Sequence, residues 1–352
     1  MALPTPEFCP KRILIVLHGS IGDVTRALPL ATMLRKKFPA AFLAWAVEPA
    51  CLPLLQGNSA IDEVLVFQRK HWWKHVFAFL SRVRNGHFDL VLDLQRLFKS
   101  GFISWWSGAP RRLGFHRRDS KEFNWVFNNF HIPAFGEGIP KLEHYLKFAD
   151  FLGIERTLPE WQFNLTNDER AAINRHLSTV GAPYATLFVG TRWESKQWFP
   201  HQIGQCAEQL HADYGFAAVL LGSPDDEPLA REVEALSKNK VTNLVGKTTL
   251  REAIGIIQGA RIAVGPDTGL THIAAAVRTP VISLWGATSP ERTGPYGYNA
   301  LAIQGQAPCV PCHRRTCSIG RICLQSITLE QIRAKVRSAL GDEKRTPASY
   351  AG

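Results

Sequence analysis

Ile13-Leu14-Ile15-Val16-Leu17, the loop His18-Gly19-Ser20-Ile21-Gly22-Asp23 and the amphipathic run 24–38 decide the fold of this chain. Five apolar residues in a row, closed by a glycine turn, read as a strand buried on both faces. In the run that follows, Ala27, Leu28, Ala31, Leu34 and Phe38 fall on one side of a helix. Strand, glycine loop and helix together open a parallel sheet covered by helices. Further strands are predicted at 42–47, 64–67 and 90–94. The rhythm lapses in the middle of the chain and then restarts. Asn167-Asp168-Glu169-Arg170 reads as a helix start. Strands follow at 185–189, 217–221, 243–245, 261–264 and 281–284, with helices over 201–214, 229–236, 250–258, 270–277 and 329–340. The fold class is α/β: two Rossmann-like, doubly wound parallel-sheet domains facing a cleft. The expected division is 1–165, 166–340 and a loose polar tail, 341–352. Ligands of such sheets bind outside the carboxyl ends of the strands, and clefts between domains are preferred pockets.

The length of 352 residues suits two domains. An apolar share of 45% with 20% charged residues is ordinary for a folded protein and excludes a disordered chain. No apolar run approaches the ~20 residues that span a bilayer. The first ten residues lack the charged-then-apolar order of a secretory signal, so a cytoplasmic location is expected. The net charge of +11 calls for an anionic partner. Local knots occur at Arg111-Arg112, His116-Arg117-Arg118 and His313-Arg314-Arg315. The long basic block or stacking repeat of a nucleic-acid module is missing, and an anionic substrate at a membrane surface fits better.

Three stretches carry chemistry. In Val264-Gly265-Pro266-Asp267-Thr268-Gly269-Leu270-Thr271-His272 a strand ends, a turn follows and a helix opens at Asp267 or Thr268. Gly269 leaves the first backbone N–H groups approachable, and such a helix start binds phosphate. His272 stands about one turn in. These residues equally fit a plain cap beside a surface histidine. Gly190-Thr191-Arg192-Trp193-Glu194-Ser195-Lys196-Gln197-Trp198 follows the first strand of the second half. Its cations Arg192 and Lys196 suit the charge on a departing diphosphate, or belong to a solvated basic loop. In the loop 19–23, Gly19 and Gly22 permit a tight turn and close approach to a ligand. Asp23 could take a proton from an acceptor hydroxyl, or simply cap the helix.

Other signals fail. Gly246-Lys247-Thr248 has Val241 where a phosphate loop needs glycine. Neither GxGxxG nor GxSxG occurs, which weakens dehydrogenase and serine-hydrolase readings. Pro308-Cys309-Val310-Pro311-Cys312 imitates half of a zinc-deaminase signature whose His-x-Glu half is missing. Cys309, Cys312, Cys317 and Cys323 fit either a structural zinc site or reduced thiols on a surface excursion. Their distance in sequence from the three loops points to folding or acceptor docking rather than chemistry.

Taken together, these stretches resemble the ADP-heptose:lipopolysaccharide heptosyltransferases, glycosyltransferase family 9. The resemblance rests on Ile13-Leu14-Ile15-Val16 through Gly22-Asp23, on Val91-Leu92-Asp93-Leu94-Gln95, and on the loop 191–198. It continues through Asp267-Thr268-Gly269-Leu270-Thr271-His272-Ile273-Ala274-Ala275-Ala276 and Leu284-Trp285-Gly286-Ala287-Thr288-Ser289-Pro290. It runs in order over about residues 12–340. It implies a GT-B fold, with acceptor bound mainly by the N-terminal half and sugar donor mainly by the C-terminal half. The implied reaction is an inverting transfer that requires no metal or other cofactor. Asp23 would be the general base and Lys196 would stabilise the departing diphosphate. Asp267 would sit by the donor sugar. Thr268, Gly269 and His272 would line the diphosphate, Thr191 would help hold phosphate, and Gly22 and Leu270 would belong to the same binding surfaces. The implied partners are ADP-heptose or a related nucleotide sugar and a lipid-linked core oligosaccharide, met by peripheral contact at the inner membrane; nucleic acid is not among them. Members of the family also transfer other sugars. A GT-B sugar-nucleotide epimerase or a non-catalytic nucleotide-sugar binder remains the alternative.

Overall fold

The computed structural model describes residues 8–136, 138–181, 183–238 and 241–341. The chain divides into two compact units, one ending at Asn164 and the other beginning at Leu165. The tail expected at 341–352 lies outside the described residues, Gly341 excepted.

In the first unit the strands are β1 (Arg12–Val16), β2 (Phe42–Val47), β3 (Glu63–Val66), β4 (Leu90–Asp93), β5 (Arg111–Gly114) and β6 (Phe130–His131). They form one parallel sheet in the order β3-β2-β1-β4-β5-β6. Its helices are α1 (Ile21–Lys37), α2 (Leu52–Leu55), α3 (Trp72–Asn85), α4 (Phe98–Trp106) and α5 (Lys141–Phe151). The second unit repeats the plan. Its strands are β7 (Tyr184–Phe188), β8 (Ala217–Leu221), β9 (Val241–Asn243), β10 (Ile262–Pro266), β11 (Val281–Trp285) and β12 (Ile303–Gln304). They pair in parallel in the order β12-β11-β10-β7-β8-β9. Its helices are α6 (Asn167–Leu177), α7 (Pro200–Tyr214), α8 (Glu227–Leu236), α9 (Leu250–Gly259), α10 (Gly269–Ala276), α11 (Pro290–Thr293), α12 (Ile322–Gln325) and α13 (Leu329–Leu340). In each sheet the order reverses beside the first strand, between β1 and β4 and between β7 and β10. That switch point is where such sheets bind ligands.

The central strands are buried on both faces: Leu14, Ile15 and Val16 in β1, and Ala263 and Val264 in β10, have no exposure. This is what helix layers on both sides of a parallel sheet require. Several boundaries differ from the sequence reading. Helix α1 begins at Ile21 rather than at 24, with Ser20 as its N-cap, so Gly22 and Asp23 belong to its first turn rather than to a loop. Strand β10 continues through Gly265 and Pro266, which pair with Ser283 and Leu284 of β11. A Cβ at Gly265 would come within 2.6 Å of the Cβ of Phe188, so the glycine lets β10 lie against β7. The turn therefore falls at Asp267 and Thr268. Strand β9 lies two residues earlier than predicted.

The irregular middle is regular in the structure, holding α4, β5, β6 and α5, and α3 fills the gap between the strands predicted at 64–67 and 90–94. Helix α3 hides its period because Phe79 and Val83 face the core while Trp72, Trp73 and Phe77 are exposed. Val76, Phe79, Leu80 and Val83 do form an inward stripe, but the exposed aromatic residues widen the apolar surface beyond it. Strand β5 opens with Arg111-Arg112, which reads as a basic loop. Among the described residues, no helix is long and apolar enough to cross a membrane.

Candidate active site

Asp23 is the third residue of α1, and its carboxylate gathers donors from its own helix and from α5. Its Oδ1 accepts from Lys141 Nζ at 2.7 Å, from the Arg26 guanidinium at 2.9 Å and from the Tyr145 hydroxyl at 3.4 Å. Its Oδ2 accepts from the Ser20 hydroxyl at 3.1 Å and the Ser20 N–H at 3.4 Å. Burial would raise the Asp23 carboxyl, but Lys141 and Arg26 outweigh it and hold it far below the usual carboxylate range. Burial and the Asp23 charge push the Tyr145 phenol up, so it stays a neutral donor. Asp23 opens into a pocket of about 200 Å³ whose other charged walls are Arg96, Lys121 and Lys141. Among the described residues it is the one carboxylate in that lining.

The floor of the pocket explains the Asp93-Leu94-Gln95 stretch. Gln95 Oε1 accepts from the backbone N–H of His18 at 2.9 Å and lies 2.7 Å from the ring Nδ1. Nδ1 therefore carries the ring proton, and the buried Nε2 is left as an acceptor without a partner. Burial, with the nearby Lys99 charge, lowers the pKa of His18 to about 3, so the ring is neutral. Asp93 is fully buried and accepts from Asn124 at 2.5 Å and Asn128 at 3.2 Å, tying the end of β4 to a 3₁₀ turn, Asn124–Phe127. Its pKa is raised by burial, against those hydrogen bonds.

In the second unit Asp267 follows β10 directly, one residue ahead of Thr268, the N-cap of α10. Its Oδ2 accepts from Lys196 Nζ at 2.5 Å and from the Thr288 hydroxyl at 2.7 Å, and its Oδ1 lies 3.7 Å from His272 Nε2. The segments after three neighbouring strands, β7, β10 and β11, thus meet on one carboxylate. Burial would raise Asp267, but His272 and Lys196 outweigh it and keep it below the usual range. His272 is buried rather than a surface residue. Lys196 also lies over the Trp193 ring, 4.3 Å from its centroid.

The start of α10, like those of α7, α8 and α12, lacks the side-chain cap that α6, α9 and α13 have. Thr166, Thr249 and Thr328 each accept a backbone N–H from their own first turn. Thr268 makes no side-chain cap, and Thr271 donates back to the Pro266 carbonyl at 2.6 Å. Thr268, Gly269 and Leu270, half-buried, head a helix whose first amides its cap residue leaves available to an anion. The Thr191 hydroxyl donates to the Trp193 carbonyl at 2.6 Å, so it braces its own loop.

The cysteine excursion is not remote from this site. Ser195 donates its N–H to Arg315 O at 3.1 Å and its hydroxyl to Arg314 O at 2.5 Å. The Cys317 N–H donates to the Glu194 carboxylate at 2.8 Å, and Arg321 donates to the Gln197 carbonyl at 2.9 Å. The segment thus clamps the turn that carries Lys196, a structural role at a place that its distance in sequence did not suggest. Cys309, Cys312, Cys317 and Cys323 are free thiols. Among the described residues no group of three or more His, Cys, Asp or Glu side chains is arranged to hold a metal ion.

Sequence reasoning brought Asp23, Lys196, Asp267, Thr268, Gly269 and His272 to notice. It missed Arg26, Lys141, Tyr145 and the role of Thr288. Lys141 and Tyr145 lie four apart on a helix that no sequence pattern announced, and nothing local ties them to residue 23.

Two six-stranded Rossmann-like parallel sheets of this strand order are the architecture of the GT-B fold. A family model described as "Glycosyltransferase family 9 (heptosyltransferase)" matches residues 76–323. The chain belongs to glycosyltransferase family 9. It is 26% identical over 297 residues to the lipopolysaccharide core heptosyltransferase OpsX of Haemophilus influenzae, covering 84% of each chain. It is 28% identical over 321 residues to lipopolysaccharide heptosyltransferase 1 of Pseudomonas aeruginosa, covering 87% of each. The solved structure of the Escherichia coli ADP-heptose lps heptosyltransferase II superposes with a TM-score of 0.76 at 22% identity, over 94% of this chain and 98% of that one.

Proposed function

We propose that this enzyme transfers heptose from ADP-heptose to a hydroxyl of a lipid-linked lipopolysaccharide core acceptor, with inversion at the anomeric carbon and without a metal. The acceptor oxygen forms a bond to the anomeric carbon, the bond from that carbon to the diphosphate oxygen breaks, and the electron pair leaves on the diphosphate. Asp23 takes the hydroxyl proton. The open first turn of α10, with Lys196 and His272, receives the charge on the nucleoside diphosphate. Asp267 holds Lys196 and His272 in place beside the sugar.

The observation that carries this reading is Asp23, among the described residues the one carboxylate of a pocket whose other charged side chains are Arg96, Lys121 and Lys141. Lys141 and Arg26 keep it ionised at neutral pH, the form a general base needs, while Arg96, Lys121 and Lys141 suit an anionic acceptor. Relatives named lipopolysaccharide heptosyltransferases over most of both chains support the donor and the acceptor class.

The test is turnover of ADP-heptose with truncated lipid-linked acceptors. Asp23→Ala should lower kcat by about 10²–10⁴-fold while ADP-heptose binding, followed by titration calorimetry, changes little. Near-normal turnover by that variant would reject the base assignment. Product of retained anomeric configuration by NMR, or activity abolished by EDTA, would reject the inverting, metal-independent mechanism. Release of free or epimerised sugar without acceptor would favour the epimerase.

A further inference from the structure

The positive charge of this protein is concentrated. Residues 69–129 hold twelve Lys and Arg against four Asp and Glu, a net +8 of the chain's +11. The same segment carries five of the ten tryptophans, and much of this aromatic surface is outward. Trp73 is 57% exposed, Phe77 80% and Phe123 77%, with Trp72, Phe98, Trp105 and Val126 also exposed. Such side chains normally seek cover, and several on one surface mark a binding face.

These residues form a connected surface within the first unit. Trp73, Phe77, Leu80 and Arg84 fall along one stripe of α3, spaced i, i+4, i+7 and i+11. Leu80 and Arg84 are bonded to Trp106 of α4, through Trp106 Nε1 to Leu80 O at 3.1 Å and Arg84 to Trp106 O at 3.3 Å. Phe102 joins Trp105, Trp106 and Phe127, and Phe127 meets Phe98 edge-on. Glu122, beside Phe123, accepts the Phe98 N–H at 3.1 Å. Lys70, Lys74, Arg117 and Arg118 are exposed and, among the described residues, in no ion pair. At one end the surface reaches the Asp23 pocket, because Lys121 lines that pocket and donates its N–H to Arg96 O.

We infer that this α3–α4 face docks on an anionic phospholipid bilayer. A bilayer interface satisfies both halves of the surface at once: indole and phenyl rings enter the boundary between headgroups and acyl chains, and lysine and arginine meet the lipid phosphates. The docking face adjoins the Asp23 pocket at Lys121, so a membrane-anchored acceptor approaches Asp23 from the side of its leaflet. That last point rests on the lipid-linked acceptor proposed above; the docking itself does not.

The experiment uses the full chain and unilamellar vesicles of phosphatidylcholine with or without phosphatidylglycerol, read by co-sedimentation. The protein should bind the anionic vesicles and release as salt rises. Trp73→Ser with Phe77→Ser should lower partition by about 10-fold or more. Lys70→Gln and Lys74→Gln should lower it by about 5-fold per charge. Turnover on a soluble, delipidated acceptor should stay at the wild-type level in all of these variants. Should a variant fail to fold, quenching of the wild-type tryptophans by brominated lipid in the same vesicles is the second measurement, and no quenching overturns the inference. Equal binding by wild type and variants overturns it. So does a wild-type dimer that the aromatic variant turns into monomer, or retention of RNA instead of vesicles at physiological salt. Vesicle binding without transfer to any acceptor defeats only the transferase reading; transfer without vesicle binding defeats only this one.

Discussion

Asp23 follows the first strand of its sheet and Asp267 the fourth strand of its own, each beside the switch point, and the structure uses them in opposite ways. Asp23 lies inside its helix, at the third position, and turns back on the helix start, accepting from Ser20. Its own negative charge fills the anion site that the start of α1 would otherwise offer. Asp267 lies one residue before its helix cap and turns away, to Lys196 and Thr288. The first amides of α10 stay open as a result. A shift of four positions relative to the helix therefore decides whether the unit presents a carboxylate or a phosphate cradle. The same contrast appears in exposure: the Asp23 side chain keeps 19%, the Asp267 side chain 9%.

After Asp23 itself, the largest expected effect is at Lys196. Lys196→Ala removes the cation from a buried carboxylate and from the proposed leaving group. The expected loss is about 10²–10³-fold in kcat, with weaker binding of ADP in a titration. Wild-type kcat would reduce the lysine to a structural counter-ion of Asp267 and erase the contrast.

Thr268→Asp makes the second unit imitate the first. An aspartate at this cap can accept from the α10 amides, which stabilises a helix by about 1 kcal/mol. The variant should melt higher yet bind ADP on the order of 10-fold more weakly, since a fixed carboxylate competes with the diphosphate. A rise in melting temperature with unchanged ADP affinity would place the diphosphate elsewhere.

A smaller effect is expected at Glu194→Gln, which loosens the grip of the cysteine excursion on the Lys196 turn. Loss of about 1 kcal/mol of hydrogen bonding corresponds to about 5-fold in kcat, and KM for the acceptor should hold. An acceptor KM that rises while kcat stays would return the excursion to acceptor docking.

The smallest effect separates His18 from the carboxylate near it. Its pKa falls from an ordinary 6.5 to about 3 in the folded protein. The unfolded chain takes up the proton first as pH falls, so the stabilisation is whole above pH 6.5 and is lost towards pH 3. The slope cannot exceed about 1.4 kcal/mol per pH unit. Asp23 and Asp267, with depressed carboxyls, contribute fully above about pH 4 and lose that contribution below it. Thermal melts of His18→Gln should therefore be flatter than wild type between pH 6.5 and 4 and steepen as before below that. A slope unchanged in the upper window would mean that the ring already carries a proton when folded.

The sheets were legible in the sequence because burial on both faces writes continuous apolar runs such as 13–17 and 217–221. The helices α9 and α13 were legible because capping residues and a one-sided apolar stripe agree, as in Thr249 with Glu252 and Thr328 with Gln331. The middle of the chain was not, because α3 and α4 carry aromatic residues on their outer faces as well as their inner ones. The features that hid those helices are the ones from which the docking face follows.

By itself the sequence determined two doubly wound units and marked Asp23, Lys196, Asp267 and His272 as the residues to watch. These are local properties: strand and helix periods, caps and short motifs act over a few neighbours. Only the tertiary structure decided that Lys141 and Tyr145 lock Asp23, that Lys196 is held by Asp267 and Thr288, and that the cysteine segment clamps the Lys196 turn. Those pairings span some 20 to 125 positions of chain, and packing of whole elements, not any nearby residue, brings the partners within hydrogen-bonding reach.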